Sequence, residues 1–244
     1  MITSADNPRV KEVLRLRKAR ERRRVGLFLA EGPREVARAR AAGLRIQATY
    51  FAPALLAWDE GEEVDERVLR KMSYRQEPEG VLAVVEIPQR SLPADATLLL
   101  VAVGIEKPGN LGAMARSADA AGADALLVAE ARSDPWNPNA IRASTGAVFT
   151  LPVVDVTGDD IATLPQQKVA AVLGATRRHT DAHYTRPTAF LVGPEDEGLP
   201  PLYRELADER VAIPMSAAAT VDSLNASTAA AVLLFEARRQ RDAD

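Results

Sequence analysis

Residues 98–103 form a fully apolar run, Leu-Leu-Leu-Val-Ala-Val, that is typical of a buried β-strand. Further apolar runs of strand length follow, and stretches with a helical pattern separate them. The later predicted strands span residues 125–128, 169–173, 189–192 and 211–213, and the predicted helices span residues 111–121, 139–147 and 225–239. Buried strands that alternate with helices favour a parallel sheet covered on both faces. We therefore expect an α/β domain over residues 96–244.

A shorter alternating block precedes this domain. Asn7 and Pro8 are typical of a helix start, so we predict one helix from Pro8 through the basic stretch that follows. The other predicted elements are strands at residues 27–30, 46–51 and 81–87 and helices at residues 33–42 and 64–72. Residues 88–97 contain two prolines and little apolar pattern, which indicates a linker. The sequence thus predicts a smaller N-terminal α/β domain over residues 1–95.

Composition excludes several classes of protein. A chain of 244 residues with 47% hydrophobic residues can bury a core without a metal or a cross-link. The absence of cysteine excludes disulfides, thiolate zinc sites, iron–sulfur clusters and cysteine nucleophiles. No apolar run approaches the roughly 20 residues of a membrane helix, and the first residues lack the apolar core of a signal peptide. We expect a cytoplasmic protein with no membrane segment and no metal site.

Positive charge is concentrated near the N-terminus. Residues 1–95 carry 18 Lys and Arg against 15 Asp and Glu, whereas residues 96–244 carry 13 against 19. Within residues 10–24 there are eight basic residues and two acidic ones. Such a density predicts contact with a polyanion such as RNA, and an ordinary solvated helix is the alternative. On one continuous helix, Arg15, Lys18 and Arg22 would share a face, so we predict that these three contact RNA.

Three polar segments follow predicted strands of the second domain, at the sheet edge where α/β proteins bind ligands. The first is a Gly/Pro turn that leads into a helix carrying Asn110 and Arg116. The second is an acidic turn at residues 193–199, and the third runs from residue 213 to the start of the last helix. Each segment alone also fits an ordinary turn or helix cap. The occurrence of all three segments in this order is what indicates a function.

Together the three segments resemble the three motifs of the SpoU/TrmH family of RNA ribose 2'-O-methyltransferases, within the SPOUT superfamily. The matching residues are Asn110-x-Gly112 with Arg116, Gly193-x-Glu195-x-x-Gly198, and Ile213-Pro214-Met215 with Ser223-Leu224-Asn225. The resemblance is strong over residues 98–240. Residues 7–11 and 26–32 more weakly resemble the ribosomal-protein-like RNA-binding extension of many members.

The resemblance implies S-adenosylmethionine as cofactor, a deep trefoil knot in the C-terminal domain, and a homodimer with its sites at the subunit interface. The residues that it assigns to cofactor binding are Gly193, Ile213, Leu224 and, as a weaker match, Thr176. The residues that it assigns to catalysis are Asn110, Arg116, Glu195, Ser223 and Asn225. The implied substrate is structured RNA, with ribosomal RNA favoured over transfer RNA, and a catalytically idle RNA-binding protein of the same fold is the rival hypothesis.

The chemistry accounts for these residue types. S-adenosylmethionine is an activated methyl donor, so the protein mainly has to align donor and hydroxyl and stabilise the developing alkoxide. Family proposals cast the arginine at position 116 as a general base, but a guanidinium stays protonated unless it is heavily desolvated. We therefore expect Arg116 to hold a phosphate and the alkoxide, Asn110 and Asn225 to orient ribose and cofactor, and Ser223 to support the pocket. We expect Glu195 to fix either Arg116 or Asn110.

Two positions depart from the family pattern. Many members have an acidic residue where Lys107 stands, and the loop at residues 216–222 is slightly longer than usual.

The sequence fits other kinds of ligand site poorly. The dinucleotide and P-loop glycine patterns are not met, and His179 and His183 lack a third metal ligand nearby.

Overall fold

The chain folds into two compact units, described here from a computed structural model of residues 1–243. One unit comprises Met1–Gln89 and Trp136–Thr150, and the other comprises Arg90–Pro135 and the chain from Leu151 onward. The predicted second domain ended at Asp244, which lies outside the described residues. Residues 136–150 therefore pack with the first unit, although the alternating pattern assigned them to the second domain.

The helices and strands are numbered in chain order. The strands are β1 Leu27–Glu31, β2 Ile46–Phe51, β3 Glu62–Glu63, β4 Val81–Glu86, β5 Leu98–Val103, β6 Ala125–Ala129, β7 Val153–Val156, β8 Gln167–Ala171, β9 Arg177–Arg178, β10 Thr188–Val192 and β11 Glu209–Ala212. The α-helices are α1 Pro8–Arg15, α2 Ala19–Val25, α3 Pro33–Ala41, α4 Glu66–Met72, α5 Pro108–Ala121, α6 Pro138–Ser144, α7 Gly158–Ala162, α8 Pro201–Leu206 and α9 Ala226–Arg241. No helix of residues 1–243 is long and apolar enough to cross a bilayer.

The second unit is built on a seven-stranded sheet in the order β7-β6-β5-β10-β8-β11-β9. All six neighbouring pairs are parallel, which confirms the predicted α/β fold. Strands β5, β6 and β10 are buried along their whole length, and this burial explains why every residue in them except Thr188 is apolar. The edge strands β7 and β9 were not predicted, because Asp155 interrupts the apolar residues of β7 and β9 consists of two exposed arginines.

The first unit contains a mixed four-stranded sheet in the order β1-β4-β2-β3, in which β4 runs antiparallel to both of its neighbours. Its core is apolar and includes Val10, Leu69 and Leu82, all fully buried. The ring of Phe28 lies 4.9 Å from that of Trp136 and 5.6 Å from that of Phe149. These aromatic contacts explain why residues 136–150 pack with this unit, because large rings contribute strongly to a core.

The predicted single helix after Pro8 is wrong, because two helices cover this stretch. Asn7 caps α1 as expected, but α1 ends at Arg15 and the buried Leu16 turns the chain before α2 begins. Arg22 as a whole is 1% exposed, and its Nη1 donates a hydrogen bond to the carbonyl oxygen of Leu16 at 2.6 Å. Arg22 therefore stabilises the turn, because it satisfies a carbonyl that the broken helix leaves without an intrahelical donor. The predicted shared face of Arg15, Lys18 and Arg22 does not exist.

Candidate active site

A cavity of about 250 Å³ lies at the carboxyl ends of β8, β10 and β11. The pairing of β10 with β8 ends at Leu191 and Ala170, and the pairing of β11 with β8 ends at Val211 and Ala171. Beyond these points the strands continue into separate loops, which open a space between them. Carboxyl edges of parallel sheets are the usual ligand sites of such folds. The volume is near the lower end of the roughly 300–1,000 Å³ of small-molecule sites.

The residues that line the cavity lie within the stretches 171–173, 192–199, 211–215 and 223–229, and Arg204 of α8 adds one more. One loop, at residues 193–199, contributes seven consecutive lining residues. The other lining residues that matter for binding are Val172, Leu173, Ile213, Met215, Ser223 and Leu224. Of the residues that the family resemblance assigned to the cofactor, Gly193, Ile213 and Leu224 line this cavity. Thr176 does not line it and is exposed on the loop after β8.

Gly193 allows the loop to fold tightly. It is buried, and a Cβ atom at this position would lie 2.6 Å from the backbone nitrogen of Leu199 and 2.6 Å from the backbone carbon of Gly198. Real Cβ atoms do not approach a backbone so closely, so only glycine fits without moving the returning loop. No residue within 1–243 accepts a hydrogen bond from the N–H of Gly193. A buried donor without a protein acceptor indicates a ligand or water partner at the cavity wall.

A cluster of polar side chains surrounds Glu195 beside the cavity. The Nδ2 of Asn110 donates to Glu195 Oε1 at 2.9 Å, and the Nδ2 of Asn225 donates to the same carboxylate and to Asn110 Oδ1 at 3.1 Å. The Asn225 Oδ1 accepts from the N–H of Ser227 at 3.0 Å and so caps α9. One residue from each of the three sequence motifs therefore meets in a single hydrogen-bonded group.

Lys107 completes this cluster. Its Nζ lies 3.1 Å from Glu195 Oε2, and this hydrogen bond is the main reason why the pKa of the Glu195 carboxyl lies below its usual range. The carboxylate in turn raises the pKa of Lys107. Glu195 is therefore ionised at neutral pH. A carboxylate at position 107 would instead face Glu195 with a like charge.

Arg116 lies on the same helix as Asn110 but outside the cluster. Its side chain is exposed, and within the described residues it makes no hydrogen bond or ion pair. Of the two expected partners of Glu195, the structure brings Asn110 into contact and not Arg116. An exposed, uncompensated guanidinium is available to a substrate phosphate.

The residues present fit S-adenosylmethionine. The cavity combines apolar walls for an adenosine with the unpaired N–H of Gly193, and three carboxylates, Glu195, Asp196 and Glu197, line it. Negative charge of this kind complements the positive sulfonium of the cofactor. Residues 1–243 contain no group of three or more side chains suited to bind a metal ion.

Comparisons with known proteins place this geometry in a family. Residues 97–235 match the model of the SpoU rRNA Methylase family, and residues 7–83 match that of the MRM3-like substrate binding domain. A crystal structure of an RNA 2'-O ribose methyltransferase is 43% identical, covers 98% of both chains and has a TM-score of 0.84. The SpoU methyltransferase AviRb from Streptomyces viridochromogenes, solved in complex with AdoMet, is 30% identical, with 97% of this chain and 98% of that chain covered and a TM-score of 0.86.

A curated relative agrees with these structures. The 23S rRNA (uridine(2479)-2'-O)-methyltransferase of Streptomyces viridochromogenes is 40% identical over 178 residues, which are 67% of this chain and 61% of the relative. The family model covers more than half of the chain and includes all three segments that surround the cavity and Glu195. The protein is therefore a member of the SpoU rRNA methylase family.

Proposed function

We propose that this protein transfers the methyl group of S-adenosylmethionine to a ribose 2'-hydroxyl of ribosomal RNA. The observation that carries the proposal is the contact of Asn110, Glu195 and Asn225 beside a cavity suited to the cofactor. The names of the matching family and of the relative from Streptomyces support ribosomal RNA as the substrate class. The relative from Streptomyces is named for ribosomal RNA, and bacterial ribosomes are assembled in the cytoplasm, so a cytoplasmic location is part of this proposal.

When bound, S-adenosylmethionine supplies a methyl group already activated by the sulfonium. The protein supplies orientation and charge. The Asn110 and Asn225 amides, fixed by Glu195, are placed to orient ribose and donor, and Ser223 supports the cavity wall. Arg116 is exposed and lacks the desolvation that a guanidinium needs to act as a base. Its role in this proposal is to hold the phosphate and to stabilise the negative charge that develops on the hydroxyl oxygen, while solvent water accepts the proton.

The transfer is tested by incubating the protein with labelled S-adenosylmethionine and, in parallel, purified ribosomal RNA and transfer RNA. We expect label in ribosomal RNA only. Label in transfer RNA alone would favour a tRNA-directed enzyme, and label in neither RNA would favour the idle RNA-binding protein.

We propose that the N-terminal unit captures RNA through exposed cations of α1, α2 and the turn between them. Arg15, Lys18, Arg20 and Arg23 are exposed and make no ion pair or hydrogen bond from their side chains within residues 1–243. Two of these, Arg15 and Lys18, were predicted from the sequence, whereas Arg22 is buried and leaves the set. Unpaired cations of this density neutralise phosphates and release counterions.

Replacing Arg15, Lys18 and Arg23 together with Ala should weaken RNA binding and flatten the slope of log affinity against log salt by about 2 to 3 units. A triple Ala variant of Arg45, Arg67 and Arg70 is the matched control, because each of these exposed arginines already pairs with a carboxylate. Filter binding across a KCl series measures both slopes. If the salt dependence of RNA binding has the same slope in both variants, the basic stretch is an ordinary solvated helix that does not contact RNA.

We propose that the protein is a homodimer with α9 at the subunit interface. The trefoil knot that the resemblance implies stays a prediction. Phe235 on α9 is 49% exposed, although large apolar side chains are normally buried, and it lies on the helix that also packs against α5. Light scattering should give twice the chain mass of 26.3 kDa, and Phe235→Asp should shift the protein toward monomer. A stable wild-type monomer would contradict this proposal.

A further inference from the structure

The loop at residues 193–199 carries an unusual load of negative charge for a cavity wall. Glu195, Asp196 and Glu197 are consecutive, and all three line the cavity. Glu106, in the loop after β5, adds a fourth carboxylate close to them, because one arginine contacts both Glu106 and Glu197. Like charges at this spacing repel one another, so the loop needs cations to keep its closed shape. Lys107 pairs with Glu195, and a second cation pairs with Glu197.

Arg132 is that cation. Its Nη1 donates to Glu106 Oε1 at 2.8 Å and to Glu197 Oε2 at 3.2 Å, so one guanidinium joins the loop after β5 to the loop after β10. Arg132 does not itself line the cavity. It belongs to none of the three family-like segments identified in the sequence, and it follows β6 in the chain.

The backbone before Arg132 takes a costly conformation. Glu130, the first residue after β6, has a φ of 48°, which residues other than glycine rarely adopt. This turn brings Arg132 back over the end of β5, where a Cβ atom on Gly104 would lie 4.0 Å from its Nε. Left-handed residues that persist in a fold are held by their surroundings and concentrate at functional sites. Here the strained turn directs the guanidinium between the two loops.

We propose that Arg132 is a positioning residue for the cofactor, which acts through Glu197 by holding the 193–199 loop closed over the cavity. The inference rests on the proposed function, because it requires the cavity to bind S-adenosylmethionine. Arg132 and its two partners are partly exposed, with relative side-chain exposures of 44%, 60% and 65%, so water and salt weaken the contacts. The expected effect on cofactor affinity is therefore a few-fold change.

The test is calorimetric titration of S-adenosylmethionine into the RNA-free protein and its variants. Arg132→Gln should raise the cofactor Kd about threefold, and Arg132→Lys should restore much of the affinity. In a Glu197→Gln background, Arg132→Gln should have no further effect, because the partner through which it acts is already neutral. Arg70→Gln is the matched control, since Arg70 likewise pairs with two carboxylates, Glu66 and Glu77, each at 2.9 Å, and lies outside the cavity wall.

A salt series separates positioning from general loss of structure. Between 0.1 and 1 M KCl the screening length falls from about 10 Å to about 3 Å, so the wild-type Kd should rise more steeply than that of Arg132→Gln, which has only the attraction between the loop carboxylates and the sulfonium left to lose. Two results would overturn the inference and leave the proposed function intact. One is an unchanged cofactor Kd in Arg132→Gln, and the other is an equal rise in Kd when Arg132→Gln is made in the wild-type protein and in Glu197→Gln. If the wild-type protein binds no S-adenosylmethionine, both the inference about Arg132 and the proposed function are wrong.

Discussion

Replacing Arg116 with Ala should lower the rate of methyl transfer about 100- to 1,000-fold and leave the Kd for S-adenosylmethionine unchanged. The side chain is exposed, does not line the cofactor cavity and makes no contact with Glu195, so its removal leaves the cavity intact. What is lost is a charge that stabilises the phosphate and the developing alkoxide, and groups of this kind contribute roughly that much to a rate. Single-turnover transfer to ribosomal RNA and calorimetry of the cofactor measure the two quantities separately.

Arg116→Lys keeps the positive charge but loses the planar donor geometry, so we expect it to recover only part of the rate. A loss of cofactor binding in Arg116→Ala would show that the arginine supports the cavity instead. Full activity in Arg116→Ala would remove it from the mechanism.

Replacing Gly193 with Ala should raise the Kd for S-adenosylmethionine about 10- to 100-fold. The added methyl group would meet the backbone of Gly198 and Leu199 at 2.6 Å, and backbone cannot move aside as a flexible side chain can. Relieving the overlap must displace the 193–199 loop, which forms much of the cavity wall and carries Glu195 into the cluster. Overpacking in a tight site costs roughly 1–3 kcal/mol, which corresponds to this range of affinity.

The matched control is Gly109→Ala in the first turn of α5. A Cβ atom at Gly109 would meet nothing within 4 Å, so the same chemical change should leave both folding and cofactor binding intact. Calorimetry on both variants, with circular dichroism to verify folding, decides the matter. Tight cofactor binding by Gly193→Ala would mean that the loop is not the wall of the cofactor site.

The parallel sheet could be predicted because β5, β6 and β10 are buried on both faces and therefore consist almost entirely of apolar residues. The break after α1 could not, because it depends on Leu16 turning into the core and on Arg22 reaching back to the Leu16 carbonyl. In a sequence, every arginine and lysine contributes the same positive charge. Only the folded structure shows that Arg22 is buried and stabilises the turn, whereas its basic neighbours remain exposed. The two-residue edge strand β9, Arg177–Arg178, was missed for a related reason, since a short exposed strand leaves no apolar pattern.

The candidate site, like the fold, could be predicted only in part from the sequence. Spacing and resemblance selected Asn110, Glu195 and Asn225, and the structure brings these three into contact. The choice between Arg116 and Asn110 as the partner of Glu195 required coordinates, because both lie on α5 and either side chain could reach an acidic turn. The pairing of Lys107 with Glu195 joins residues 88 positions apart, a contact that no local pattern reports.

The position of the transferred methyl group tests the central proposal most directly. Ribosomal RNA labelled by the wild-type protein would be digested to nucleosides, and the label assigned by mass spectrometry and by resistance of the adjacent phosphodiester to alkali. The account predicts a single 2'-O-methylated ribose, absent when Arg116→Ala replaces the wild-type protein. A methyl group on a base, or label distributed over many alkali-sensitive positions, would contradict it.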